Sequence, residues 1–132
     1  MKTKTIKLEV TIKNSTPKQI YEIFMDSKKH ADLISSGAEI SREAGGKFNI
    51  YDGYITDKNI KLIENKKIVQ EWRGEEECWP QEHFSILTIT LEKVSGGTKL
   101  ILNQEKVPTE CADNFEKGWH DFYFNPLKNI FE

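Results

Sequence analysis

Alternation of apolar and polar residues through residues 38–106 most constrains how this chain folds. In the segment HFSILTITLEKV, Leu87, Ile89 and Leu91 alternate with threonines. A two-residue period places one side of a strand in the core and the other in solvent. Because the same pattern returns after successive glycine turns, it predicts an antiparallel meander of six strands.

Other strand limits follow from the same rule. Residues 4–13 predict a first strand, and glycine turns at 45–46 and 52–53 bound strands at about 46–51 and 53–63. The second turn, Asp-Gly, is typical of a tight hairpin. Inward-facing positions on the later strands are predicted at Ile68, Trp72, Leu87, Ile89, Leu91, Leu100 and Leu102.

Two short helices are predicted between the first strand and the meander. The segment NSTPKQIYEIFMD offers Ser15 or Thr16 as N-cap and Pro17 at the first helical position, where its missing N–H costs nothing. The next segment, SKKHADLISS, predicts a second helix that ends at a Ser-Ser-Gly cluster.

An aromatic-rich C-terminal segment predicts a helix that covers the apolar face of the sheet. Its stripe is predicted from the spacing of Phe115, Trp119, Phe122, Pro126 and Ile130, with Tyr123 and Leu127 beside them. Pro126 is expected to kink this helix, because it lacks one backbone donor. Helices on one side of an antiparallel sheet make an α+β domain.

Composition excludes several classes of protein. A chain of 132 residues predicts a single domain, residues 1–132, and a net charge of −2 from 19 basic and 21 acidic residues argues against nucleic acid as a partner. No apolar run approaches the roughly 20 residues that span a bilayer, and MKTKTIKLEV lacks a signal peptide's apolar core, so we expect a cytoplasmic protein without membrane contact. Cys78 and Cys111 are interpreted as reduced thiols, with a disulfide as the alternative.

Four segments carry a resemblance to a known family: GGKFNIYDG (45–53), KKIVQEWR (66–73), WPQEHFSILTITL (79–91) and GWHDFYFNPLKNIF (118–131). In this order and spacing, they resemble the C-terminal domain of the activator of the 90 kDa heat-shock chaperone's ATPase. The similarity covers residues 6–131. That family belongs to the START and Bet v 1-like superfamily, whose helix-grip fold wraps a curved antiparallel sheet around a long C-terminal helix.

The resemblance implies a co-chaperone-like module that binds this chaperone. Two-domain activators also carry an N-terminal domain that makes a major chaperone contact, and nothing in this sequence corresponds to it. We therefore expect chaperone binding more than ATPase activation from these 132 residues, and we expect a monomer.

A second hypothesis is a carrier or sensor of a small hydrophobic ligand, held in a cavity between the sheet and the C-terminal helix. Large aromatic side chains aimed inward favour a small or closed cavity. The candidate ligand-binding residues are Ile50, Ile68, Trp72, Leu87, Ile89, Leu100, Leu102, Trp119, Phe122 and Tyr123.

Nothing in the sequence demands catalysis, a metal or a cofactor. His120 and Asp121 are adjacent on a predicted helix and point about 100° apart, so they do not form a dyad. The three histidines have no metal-ligand spacing. The acidic run at residues 75–77 is interpreted as a solvated loop, with contact to a basic partner surface as the alternative.

Overall fold

A computed structural model describes all residues, Met1–Glu132, as one curved sheet with helices on one side. No helix has both the length and the apolar character needed to cross a bilayer. The strands are β1 (Thr3–Lys13), β2 (Ala38–Ile40), β3 (Lys47–Ile50), β4 (Ile55–Ile63), β5 (Lys67–Gly74), β6 (Ser85–Val94) and β7 (Gly97–Pro108). The helices are α1 (Pro17–Met25), α2 (Ser27–Ile34), α3 (Thr109–Trp119), a π turn (His120–Phe124) and α4 (Asn125–Phe131).

All strands pair antiparallel in the order β1-β7-β6-β5-β4-β3-β2. The meander β2–β7 therefore has the predicted six strands, and β1 adds a seventh by pairing with β7. Predicted inward positions on β5, β6 and β7 are buried, which confirms the two-residue period. The expected tight hairpin at 52–53 is instead a four-residue loop, because the last pair joins Ile50 to Ile55.

The two short helices lie where the sequence predicts them, and a capping side chain fixes the start of each. Thr16 is the N-cap of α1, where its hydroxyl accepts from the Gln19 N–H while the Gln19 side chain accepts from the Thr16 N–H. Asp26 caps α2 through the Lys29 N–H. The α+β helix-grip architecture expected from the sequence is confirmed, with the C-terminal helix across the sheet.

The C-terminal helix differs from the predicted stripe because it contains a π turn. Phe122 and Ile130 are 52% and 57% exposed, so the prediction that they face the sheet is wrong. Positions packed in or against the core recur at every fourth residue: Cys111, Phe115, Trp119, Tyr123, Leu127 and Phe131. In an α-helix such a repeat drifts by about 40° per four residues, and the wider π turn offsets that drift. Pro126 lies in the first turn of α4, directly after this π turn, and the kink expected there stays a prediction.

The two cysteines form a disulfide, which corrects the prediction of reduced thiols. Cys78 lies in the loop between β5 and β6, Cys111 lies in the first turn of α3, and their Cα atoms are 5.8 Å apart. This separation is within the usual range for a disulfide. The bond joins positions 33 residues apart and ties the β5–β6 loop to the C-terminal helix.

Candidate functional site

The interior between sheet and helix is filled by large side chains. A void of about 10 Å³ lies within it, room for one water molecule at most. Seven of the predicted ligand-binding residues line this void: Ile50, Ile68, Trp72, Leu87, Ile89, Trp119 and Tyr123. Leu100 and Leu102 lie in the core and line neither this void nor the cleft described below.

Trp72, Trp119 and Tyr123 form an aromatic wall with the small void on one side and an open cleft on the other. The ring centroids of Trp72 and Trp119 are 5.9 Å apart, and those of Trp119 and Tyr123 are 4.8 Å apart. All three residues are buried. The wall therefore closes the core and at the same time supplies the floor of the cleft.

A chain of buried hydrogen bonds holds this wall in place. The Trp119 Nε1–H donates to Gln104 Oε1 at 2.9 Å, and Gln104 Nε2 donates to Ser85 Oγ at 3.0 Å. The Ser85 hydroxyl in turn donates to the Trp72 carbonyl at 2.9 Å. Buried polar groups stabilise a fold only when they are paired, so this chain fixes the indole of Trp119 in one orientation.

Tyr123 is held by a second buried contact, with His30 of α2. The Tyr123 hydroxyl donates to His30 Nε2 at 2.7 Å, while His30 Nδ1–H donates to the Phe24 carbonyl at 2.9 Å. Burial lowers the pKa of His30 and so favours the neutral imidazole, in which Nδ1 carries the proton and Nε2 accepts. Burial also raises the pKa of the Tyr123 hydroxyl well above its usual range.

The cleft has a volume of about 480 Å³ and opens to solvent beside the C-terminal helix. This volume lies within the range of small-molecule sites. Seven of its thirteen lining residues are aromatic. The lining residues are Tyr51, Tyr54, Ile55, Trp72, Glu76, Asn114, Phe115, Lys117, Gly118, Trp119, Asp121, Phe122 and Tyr123.

Unusual backbone geometry positions the cleft's rim. Tyr51 and Asp52 adopt positive φ angles of 56° and 53° in the β3–β4 loop, a conformation rare for a bulky residue such as Tyr. Across the mouth, the π turn presents Phe122, whose ring meets Tyr51 edge to face at 6.1 Å. Strained residues and π turns are both frequent at functional sites.

Phe115 of α3 completes the floor of the cleft, where its ring packs beside Gly74 at the end of strand β5. Its ring lies 5.3 Å from Trp72 and 5.4 Å from Trp79, both edge to face. A Cβ on Gly74 would come within 2.8 Å of the Phe115 ring, so glycine at this position permits the contact. Trp79 is buried and donates its Nε1–H to the His83 carbonyl at 2.7 Å.

Charges at the cleft are unequally paired. Lys117 and Asp121 form an ion pair at 2.7 Å along the helix. Glu76 has no cationic partner and instead accepts a hydrogen bond from the Tyr54 hydroxyl. Burial, followed by this carboxylate, raises the pKa of Tyr54 above its usual range.

Four of the ten predicted ligand-binding residues line the cleft: Trp72, Trp119, Phe122 and Tyr123. Sequence reasoning missed Tyr51, Tyr54, Glu76 and Phe115 as cleft residues. The available signal was aromatic enrichment at residues 51–54, next to the Asp-Gly turn.

The remaining polar candidates have other partners. His120 stacks edge to face on Phe124 at 5.3 Å, whereas Asp121 pairs with Lys117. His83 Nε2 lies 2.7 Å from the Lys106 carbonyl, and His30 is buried with Tyr123. The acidic run at residues 75–77 is exposed, as predicted for a solvated loop.

A curved antiparallel sheet gripped by a C-terminal helix, with an aromatic cleft beside that helix, defines a helix-grip protein of the Bet v 1-like class. Within this class, the chain belongs to the family described as activator of Hsp90 ATPase homolog 1-like protein, whose model matches residues 14–132.

Curated relatives include two mammalian proteins. The mouse protein named activator of 90 kDa heat shock protein ATPase homolog 2 is 30% identical over 129 residues, 97% of this chain and 38% of its own length. Human homolog 1 is 27% identical over 126 residues, 93% of this chain and 37% of its own length. The chain therefore spans little more than a third of the length of these relatives.

Solved structures show the same fold at lower identity. An HSP90 activator from Plasmodium falciparum has a TM-score of 0.87 at 21% identity and covers 96% of this chain and 94% of its own. A structure titled as the Aha1 dimer from Colwellia psychrerythraea has a TM-score of 0.80 at 19% identity, covering 98% and 96%.

Proposed function

We propose that this chain is a co-chaperone-like module that binds the 90 kDa heat-shock chaperone. The observation that carries the proposal is the family match over residues 14–132. Mouse and human relatives are named as activators of that chaperone's ATPase, and they align with nearly the whole chain. The proposal treats residues 1–132 as one binding domain, a monomer without enzymatic activity.

ATPase modulation is a weaker part of the proposal. The aligned region accounts for 38% and 37% of the two mammalian relatives, so their remaining length offers further contacts. Linking two contacts raises avidity by a factor of about 10²–10⁴. We therefore expect the 132-residue chain by itself to bind weakly and to stimulate the ATPase little.

Titration with the chaperone tests this proposal directly. Chemical shifts of the ¹⁵N-labelled chain are mapped against the chaperone with and without a nonhydrolysable ATP analogue, and ATPase rates are measured in parallel. We expect localised shifts that depend on the nucleotide. No shifts at about 1 mM protein, enough to detect a Kd of that order, would remove the co-chaperone proposal. Full activation would show that the contribution of additional contacts was overestimated.

A cytoplasmic location is also proposed, and the disulfide provides its test. Disulfides persist mainly in oxidising compartments, whereas glutathione keeps cytosolic thiols reduced. A cytoplasmic location would expose the Cys78–Cys111 bond to this reducing pool, so the redox state of the pair in cells reports on the compartment. Alkylation of free thiols at the moment of lysis measures this, and a fully oxidised pair would contradict the location.

The cleft supports a second candidate function, a carrier or sensor of a small hydrophobic ligand. Its volume of about 480 Å³ and its aromatic lining carry this candidate. The predicted residues in the filled interior would then support the site without touching the ligand. Native mass spectrometry of the purified chain, followed by solvent extraction, tests whether a ligand is retained.

A further inference from the structure

The cleft combines many aromatic rings with one carboxylate that lacks a cationic partner. Tyr51, Tyr54, Trp72 and Phe122 all line it, and Glu76 sits directly on Tyr54 through a hydrogen bond. The ring centroids of Tyr51 and Tyr54 are 6.4 Å apart. Aromatic faces attract cations placed within about 6 Å of a ring centroid.

Charges around the cleft leave Glu76 as the group to be neutralised. The Lys117 ammonium group, the cationic group in the cleft lining, forms an ion pair with Asp121 at 2.7 Å and does not neutralise Glu76. On the same loop as Glu76, Glu75 pairs with Arg73 at 3.3 Å. The three charged residues that line the cleft, Glu76, Lys117 and Asp121, sum to −1.

We propose that the cleft binds a small alkylammonium cation, which rests on the aromatic rings with Glu76 as its counter-ion. This proposal rests on the second candidate function, ligand binding in the cleft, and specifies the chemical class of that ligand. A purely apolar ligand would pack against the aromatic rings but would leave Glu76 without a cationic partner. An anion would meet Glu76 at the mouth and is disfavoured.

Two probes of equal shape test this proposal. Choline and 3,3-dimethylbutan-1-ol differ mainly in the central atom of the head group, nitrogen in one and carbon in the other, so only the charge changes. We expect choline to bind about tenfold more tightly, the ratio that a cation–π contact together with one carboxylate would give. Titrations followed by NMR shifts of the indole N–H groups give both dissociation constants and the place of binding.

Paired variants assign the effect to one carboxylate. Glu76→Gln should remove the carboxylate's part of choline's advantage, so choline affinity falls toward that of the neutral alcohol while alcohol binding is unchanged. Glu77→Gln removes the same charge from the same loop at a residue that does not line the cleft, and it should leave choline affinity nearly unchanged. Equal losses in both variants would indicate only the general field of the loop and would overturn the proposal.

Gly118→Leu provides a control for the place of binding. Gly118 lines the cleft, and an added Cβ would meet Phe122 at an ordinary 3.8 Å, so a larger side chain fills the cleft rather than the core. Circular dichroism checks that the variant is folded, and both probes should then lose binding. Retained binding would place the probes elsewhere and overturn the proposal.

The probes also separate this proposal from the function on which it rests. Equal binding of choline and the alcohol would refute the proposal of an alkylammonium ligand and leave the proposal that the cleft carries apolar ligands. If neither probe binds at about 50 mM, far above the Kd expected of a specific site, both the alkylammonium proposal and the ligand-carrier function are refuted. Nα-acetyl-lysine methylamide distinguishes two sources of the ammonium group: binding at least as tight as that of choline indicates a protein side chain, and weaker binding indicates a free small molecule.

Discussion

The filled interior and the open cleft lie on opposite sides of the same aromatic wall, yet they differ in almost every physical respect. The interior beside the wall leaves a void of about 10 Å³, and the buried Gln104 and His30 side chains find hydrogen-bond partners within the protein. The cleft leaves about 480 Å³ empty and keeps one carboxylate, Glu76, without a cation. The contrast shows that bulk on one side of the wall stabilises the fold and leaves the other side free for binding.

Loss of the wall should have the largest effect. Trp119→Ala removes a buried indole and leaves Gln104 Oε1 without its donor, so we expect a loss of about 3–5 kcal/mol in unfolding free energy. His120→Ala changes the next residue, which is exposed, and should cost no more than about 0.5 kcal/mol. Urea denaturation compares the two variants, and equal midpoints would show that the helix faces are wrongly assigned.

Reduction of the disulfide should give the second-largest loss of unfolding free energy. The loop that it releases contributes to the cleft side of the wall. The bond closes a segment of 33 residues between the β5–β6 loop and α3, a length for which loss of loop entropy predicts about 3–4 kcal/mol. Adding dithiothreitol should lower the denaturation midpoint of the natural chain. A Cys78→Ala/Cys111→Ala double variant should not respond to the reductant. An unchanged midpoint in the reduced natural chain would mean that other contacts already hold the loop.

The same comparison shows what sequence can predict. Strands β5, β6 and β7 follow from a period of two, a local pattern that survives whatever packs on it. The helix face was predicted with Phe122 inward, because the pattern was read with an α-helical period and the π turn was not anticipated. A strict four-residue spacing from Cys111 to Leu127 was the available signal.

The cleft was harder to predict because its residues come from loops. Tyr51 depends on positive φ angles, and Glu76 depends on where the β5–β6 loop is tied by the disulfide. Neither condition is visible as periodicity. The sequence therefore predicted the filled side of the wall and missed much of the open side.

One hydroxyl on each side of the wall gives a matched test of smaller size. Tyr123→Phe removes the donor to buried His30 Nε2 and should cost about 1–3 kcal/mol, because a buried acceptor is left unpaired. Tyr54→Phe makes the same change at the cleft, where Glu76 is exposed and water replaces the lost donor, so we expect about 0.5 kcal/mol or less. Equal costs would mean that the cleft is as dry as the core.

Acid should produce a smaller effect than loss of the Tyr123 hydroxyl, and its sign follows from His30. Burial lowers the pKa of His30 in the folded chain, so the unfolded chain, with a pKa of about 6.5, binds the proton more readily. Stability from neutral His30 is therefore fully present above about pH 6.5 and is lost as pH falls through the folded-state pKa, by at most about 1.4 kcal/mol per pH unit. Urea midpoints between pH 7.5 and 5.5 measure this slope.

Two variants assign the slope to His30. His30→Gln keeps a neutral donor and acceptor between Phe24 and Tyr123 and should flatten the slope, whereas His120→Gln, at an exposed site, should not. A slope that survives His30→Gln would locate the acid sensitivity outside the filled interior.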